Sequence, residues 1–259
     1  MSTAVYKSNF VRFSGSEAIQ FFKNNLFRYF EKSKLNPYST EEWKKGIFQL
    51  FHIQTINLPD LDKENYILVS NHISDFDAVI LGLLHPSIRI IAKIGWTNNN
   101  ELMDFLNLHY NIVGIYRDFE IEKLNAAEKE AANGHNFKTN KDSFRYIKNN
   151  NSVHHLLIFP QSTISDINRN SKERVNIGFA RIAAATKTGV INMFIEYPDI
   201  NGCTRIVCGV PYDIPNHNLD CRQTWLNDVI SLQNQLSNVR EPVLSEKHSL
   251  NNNTDEPFF

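Results

Sequence analysis

The chain predicts an α/β fold: a mixed, largely parallel sheet flanked by helices, with an N-terminal helical pair. Three observations lead there. Short apolar, β-prone runs alternate with helical stretches, the order that builds strands joined by crossover helices. With 259 residues and 42% hydrophobic composition, the chain has ample material for a core. No apolar run reaches the roughly eighteen residues of a membrane-spanning helix, so none is expected.

The first element is an amphipathic helix over residues 16–34. Ile19, Phe22, Leu26 and Phe30 form one face, widened by Phe21, Phe27 and Tyr29. Lys23, Arg28, Lys32 and Lys34 interrupt it with positive charge. Pro37 marks a turn, and a second helix starts at Ser39, where Ser39 and Glu42 have capping-box spacing. Trp43, Ile47 and Leu50 would be its inner face. This pair, residues 1–50, is expected to pack on a catalytic domain of residues 51–244. Its aromatic and basic residues also suit a lipid interface.

Strand character follows from Phe51 to Ile56, with Leu58-Pro59-Asp60 as a turn. The apolar run Tyr66–Ser70 is the next strand, followed by a helix from Asp75 to Leu84 that His85-Pro86 closes. Ile88–Ala92 and Ile112–Tyr116 are further strands, and His155–Pro160 is the strongest. Between them, Glu120–Asn151 reads as a solvated helix and loops. A helix over Ile177–Thr188 is expected to end at Gly189 as its C-cap. Strands Val190–Tyr197 and Thr204–Val210 complete the sheet, and a last helix over Cys221–Leu236 presents Trp225, Val229 and Leu232. Residues 245–259 read as a flexible polar tail.

Bulk properties exclude several functions. A net charge of −1 lacks the basic surplus of a nucleic-acid binder. Cys203, Cys208 and Cys221 are too few and too irregular for a disulfide framework or zinc site. His154 and His155 have no suitably placed carboxylate or cysteine, so no metal is expected. The amino terminus lacks a basic-then-apolar leader, and the expected location is the cytoplasm.

Chemistry concentrates after the strand Tyr66–Ser70. The strand delivers His72 to its carboxyl end, where open α/β sheets bind ligands. Asp77 follows five positions later. In a regular helix that spacing puts two side chains on different faces. They meet only if His72 lies in the turn before a helix and Asp77 in its first turns, which Ser74 and Asp75 favour as N-terminal residues. A neutral imidazole there would take a proton from a hydroxyl, with Asp77 fixing its tautomer. Asp75 is a rival partner whose ordinary role is helix capping.

Further blocks fall in a set order around this pair, and together they resemble the glycerolipid acyltransferases of the lysophosphatidic-acid acyltransferase type. The first motif of that family, N-H-x-x-x-x-D, is matched by Asn71, His72 and Asp77. The second, an apolar strand ending in arginine, is matched by Gly114-Ile115-Tyr116-Arg117, with Ala92-Lys93 as the pair that precedes it. The third, F-P-E-G-T-R-S, appears as Phe159-Pro160-Gln161-Ser162-Thr163-Ile164-Ser165. A glycine-containing helix at Ile177–Ala180, the strand Val190–Phe194 and a late strand-Gly-x-Pro element at Ile206–Pro211 continue the order. The string H-x-x-x-x-D is common by chance; the ordered set is not.

The resemblance implies acyl transfer from a thioester of coenzyme A or acyl carrier protein to a hydroxyl, with no cofactor. It makes His72 the general base and Asp77 its orienter. Asn71, Lys93, Arg117, Phe159, Pro160, Gln161, Ser162 and Thr163 become substrate-binding residues. The oxyanion would be met by backbone amides around the third motif. Arg117 offers a planar fork to a phosphate. The third motif departs from the pattern at Gln161, Ser162 and Ile164, where the family has glutamate, glycine and arginine. Losing that arginine removes a charge-assisted contact of about 1.5–3 kcal/mol. Arg169, Lys172 or Arg174 are candidate substitutes.

The expected function is therefore an O-acyltransferase acting on a lysophospholipid-like acceptor, peripheral on the inner face of the cytoplasmic membrane. Three alternatives stay open. One is the same chemistry on a non-phosphate hydroxyl or amine of a specialised metabolite. Another is a catalytically silent lipid- or acyl-carrier-binding module. The third is a thioester hydrolase.

Overall fold

The computed structural model describes residues 20, 24, 40–74, 76–93, 110–116, 138–139, 145, 147, 149, 154–161, 175–197, 203–214 and 220–238. Of the first expected helix only Gln20 and Asn24 are among them, both helical. The tail from 245 onward lies outside.

The elements run α1 (Thr40–Phe51), β1 (Gln54–Ile56), β2 (Tyr66–Ser70), α2 (Phe76–Leu81), β3 (Ile88–Lys93), β4 (Asn111–Tyr116), β5 (Lys138–Thr139) and β6 (His155–Ile158). Then follow α3 (Gly178–Thr186), β7 (Gly189–Glu196), β8 (Arg205–Cys208) and α4 (Cys221–Asn238). Among the described residues, eight strands form one sheet in the order β1-β8-β7-β2-β6-β3-β4-β5. Neighbours pair in parallel except β7 with β8. The mixed, largely parallel sheet that the sequence predicts is the one found. Strands β2 to β7 all point the same way, so their carboxyl ends share one edge.

Both faces of the sheet are covered, which is why β2 reads as an unbroken apolar run instead of alternating. Its five residues are all buried. Leu68, with Ile191, Met193 and Ile195 of β7, packs under Trp43, Ile47 and Phe51 of α1 and under α2. Ile67 and Val69 face the other way, with Val190 and Phe194, against Phe179 of α3 and Trp225, Val229 and Leu232 of α4. Gly82 lets the turn after α2 lie close on β3: a Cβ there would sit 2.6 Å from the Ile90 side chain.

Four local expectations are corrected. Helix α1 runs through Phe51, because Trp43, Ile47 and Phe51 continue one helical stripe, all within 1% of full burial. His52, at φ 47°, then breaks the helix. The helix after β2 spans Phe76–Leu81, shorter than expected, and winds down through Leu83 N–H to Ile80 C=O and Leu84 N–H to Leu81 C=O bonds. Lys187, not Gly189, takes the left-handed position after α3, at φ 54°. Gly189 instead opens β7, paired with Tyr66. Finally, β5 arises inside the segment read as helix and loops, pairing Lys138 with Ile115 and Thr139 with Tyr116.

No described helix is long and apolar enough to cross a membrane.

Candidate active site

The chain leaves β2 through Ser70, which pairs with Met193 of β7. Asn71 then extends the pairing with its side chain. Its Oδ1 accepts from the Ile195 N–H at 2.8 Å and its Nδ2 donates to the Ile195 C=O at 2.9 Å. The amide thus takes the place of a strand backbone while the main chain turns away. Asn71 is completely buried. Both ends of its amide are committed to the sheet.

That turn carries His72 out of the core, and its side chain keeps 19% of its surface exposed. Ser74 caps the next helix, its Oγ accepting from Phe76 N–H at 3.2 Å. Asp77 falls in the first turn of α2, with no exposed surface. From there its Oδ2 lies 2.9 Å from His72 Nδ1. The same oxygen accepts from Ile73 N–H at 2.7 Å and Ser74 N–H at 2.9 Å. Oδ1 accepts from the Tyr197 hydroxyl at 2.8 Å. These four donors match a carboxylate, a group that only accepts, and they offset the cost of burying it. A neutral imidazole bonded to a carboxylate through Nδ1 carries its proton there, which leaves Nε2 as the basic nitrogen.

The third block joins from the end of β6. Phe159 stacks on the His72 ring at 4.4 Å between centroids and 25° between planes. Pro160 is buried, and Gln161, 4% exposed, accepts the His72 N–H on Oε1 at 2.6 Å. Asn71, His72, Asp77, Phe159, Pro160 and Gln161 therefore gather at one edge, beside the carboxyl ends of β2, β6 and β7. Lys93 ends β3 on that same edge. Arg117, Ser162 and Thr163 lie outside the described residues, as do Asp75, Ile164, Arg169, Lys172 and Arg174.

Tyr197 is the member of the cluster that sequence reasoning did not single out. It is 120 positions from Asp77 and belongs to no local motif. The one signal was its place at the end of an apolar strand. A cavity of about 670 Å³ lies at the opposite edge, among Tyr66, Gly189 and Tyr212, and so is remote from His72. His155 also sits at that far edge. Its Nδ1 accepts the Tyr66 N–H at 3.1 Å and its Nε2 bonds the Leu61 C=O at 2.9 Å, so both ring nitrogens are spent on backbone.

A model of the Acyltransferase family matches residues 49–201, more than half of the chain. The chain belongs to this family. Its fold is also that of the 1-acyl-sn-glycerophosphate (LPA) acyltransferase PlsC from Thermotoga maritima, with a TM-score of 0.51 at 18% identity. That likeness covers 84% of this chain and 89% of PlsC. No curated protein matches. The family match spans the strands β1 to β7, and with them every candidate site residue.

Proposed function

We propose that the chain transfers a fatty acyl group from a thioester, carried by coenzyme A or acyl carrier protein, to a hydroxyl of a lysophospholipid-like acceptor. The observation that supports this most is the His72–Asp77 bond at the carboxyl edge of the sheet, in a member of the Acyltransferase family. PlsC is named for an acyl-glycerophosphate acceptor, and that class of acceptor is carried over here as part of the proposal.

In this mechanism His72 Nε2 takes the proton of the acceptor hydroxyl as its oxygen attacks the thioester carbonyl. A C–O bond forms, and collapse of the tetrahedral intermediate breaks the C–S bond. The imidazolium then returns the proton to the departing thiolate, giving ester and free thiol. No acyl-enzyme is needed. Asp77 holds the ring through Nδ1 and stabilises the imidazolium. Phe159 fixes the ring plane from one side. Asn71 and Gln161 support the turn, a role their burial favours over direct substrate contact. Lys93 and Arg117, at and just after the ends of β3 and β4, are assigned to the acceptor headgroup, with Ser162 and Thr163. The N-terminal aromatic and basic residues would hold the protein on a membrane surface.

A second reading is favoured by one observation. The third block has Ser162 and Ile164, where the motif it resembles has glycine and arginine, which weakens the case for a phosphate in the acceptor. Mass spectrometry of products from oleoyl-coenzyme A and a panel of lysolipids and phosphate-free alcohols tests both. Acylated lysolipid supports the first reading, and acylated alcohol alone supports the second. Thiol release without any acylated product would contradict both in favour of hydrolysis.

A further inference from the structure

The Asp77 carboxylate is gripped from two directions, and only one of them belongs to the first motif. His72, Ile73 and Ser74 all donate to Oδ2. The other oxygen is bonded by Tyr197, at the carboxyl end of β7. We infer that Tyr197 is a positioning residue for the acyl-transfer dyad: its hydroxyl locks the Asp77 carboxylate in the rotamer that presents Oδ2 to His72 and draws charge away from that oxygen.

The geometry of the surroundings supports a built arrangement. The Tyr197 ring meets Phe51 edge-on at 6.4 Å between centroids. Phe51 also touches Phe76, the residue before Asp77, at 5.2 Å. Phe51 itself is 1% exposed and ends α1. Strand β7 is fixed one and two residues earlier, at Glu196 by its ion pair with Arg205 and at Ile195 by the Asn71 amide. The hydroxyl is therefore held in place by packing on one side and by the sheet on the other. Among the described residues, the ionisable side chains bonded to Asp77 are His72 and Tyr197.

A carboxylate that rotates about its Cβ–Cγ bond would offer His72 either oxygen at varying angles. Three donors on Oδ2 do not alone prevent this, because the amides of Ile73 and Ser74 belong to the same turn and move with it. Tyr197 comes from outside that turn, directly after β7. It ties Asp77 to the rigid sheet. By sharing the negative charge it also limits how strongly Asp77 holds a protonated imidazole.

This inference rests on the proposed mechanism, and its test is separable from it. His72 is titrated by 15N NMR of histidine-labelled protein, in the unsubstituted chain and in Y197F, with thermal denaturation alongside. Y197F is expected to raise the pH at which the imidazole takes up its proton by about half a unit, since a carboxylate that loses a donor attracts the imidazolium more strongly. With oleoyl-coenzyme A and 1-oleoyl-lysophosphatidic acid as probes, kcat should fall about tenfold while KM stays within about twofold. An unmoved midpoint in folded Y197F would overturn the inference, as would a loss confined to KM. If Y197F does not fold, Tyr197→3-fluorotyrosine, nearly the same size and a stronger donor, must lower the midpoint; no movement overturns it. The NMR reading needs no turnover, so it stands or falls apart from the acyl-transfer assignment.

Discussion

The backbone N–H of His72 donates to Gln161 Oε1 at 2.6 Å, joining two sequence blocks 89 positions apart. The F-P-E-G-T-R-S motif that this stretch resembles has glutamate at this place, and glutamine keeps the acceptor oxygen that the bond needs. The substitution removes a charge without removing the contact. Its position, 4% exposed against the turn that carries His72, makes it a support for the dyad.

Gln161→Ala and Gln161→Glu should therefore differ. The alanine variant leaves the His72 N–H without its acceptor and loosens the turn, at about 1–3 kcal/mol. Activity should fall about tenfold or more, whereas the glutamate variant keeps the bond and stays within about fivefold of the parent. Steady-state rates on both variants, with urea denaturation, check this. Equal activities would mean that the carbonyl has no role in placing His72.

Asn71→Ala should be a stability variant first. It removes both partners of Ile195, leaving a backbone N–H and C=O unpaired inside the sheet. The expected loss is about 2–4 kcal/mol, measured by urea denaturation. Asn71→Asp keeps the acceptor for the Ile195 N–H but sets a buried carboxylate oxygen against the Ile195 C=O, so it should destabilise as well. A loss below about 0.5 kcal/mol in Asn71→Ala would show that the amide is not the mainstay of this turn.

Much of this was legible in the sequence, and the failures share a cause. Strands β2, β6 and β7 announce themselves because parallel strands covered on both faces are apolar throughout. Strand β5 has two residues at the sheet edge, too few to leave a hydrophobic pattern. Phe51 sits in a locally β-prone stretch, yet its burial with Trp43 and Ile47 decides for the helix. Gly189 looks like a helix stop, but tertiary pairing with Tyr66 claims it for β7 and Lys187 takes the left-handed position. In the candidate site, the residues that share a motif were visible. The bonds Tyr197 to Asp77, Gln161 to His72 and Asn71 to Ile195 were not, since each joins segments far apart in the sequence that only the fold brings together.

Acid should weaken the fold through His155. Burial is the main reason that its imidazole is held down to about 4 from an ordinary 6.5, with His85 nearby adding to it. The folded chain keeps the ring neutral while the unfolded chain protonates it. The contribution is whole above pH 6.5, falls as pH drops towards 4, and levels off below that. The full loss is about 3 kcal/mol from this group alone. Urea denaturation at intervals between pH 7 and 4 follows it, and His155→Gln should flatten that part of the profile. An unchanged slope in the variant would place the effect elsewhere.

His72 as the general base is tested by the rate of thiol release from oleoyl-coenzyme A in the presence of a lysolipid acceptor, compared between the parent and a folded His72→Ala variant. Without the imidazole base the rate should drop by about 10²–10⁴-fold while the melting temperature holds. A folded variant that releases thiol and forms ester at near the parent rate would show that His72 is not the base.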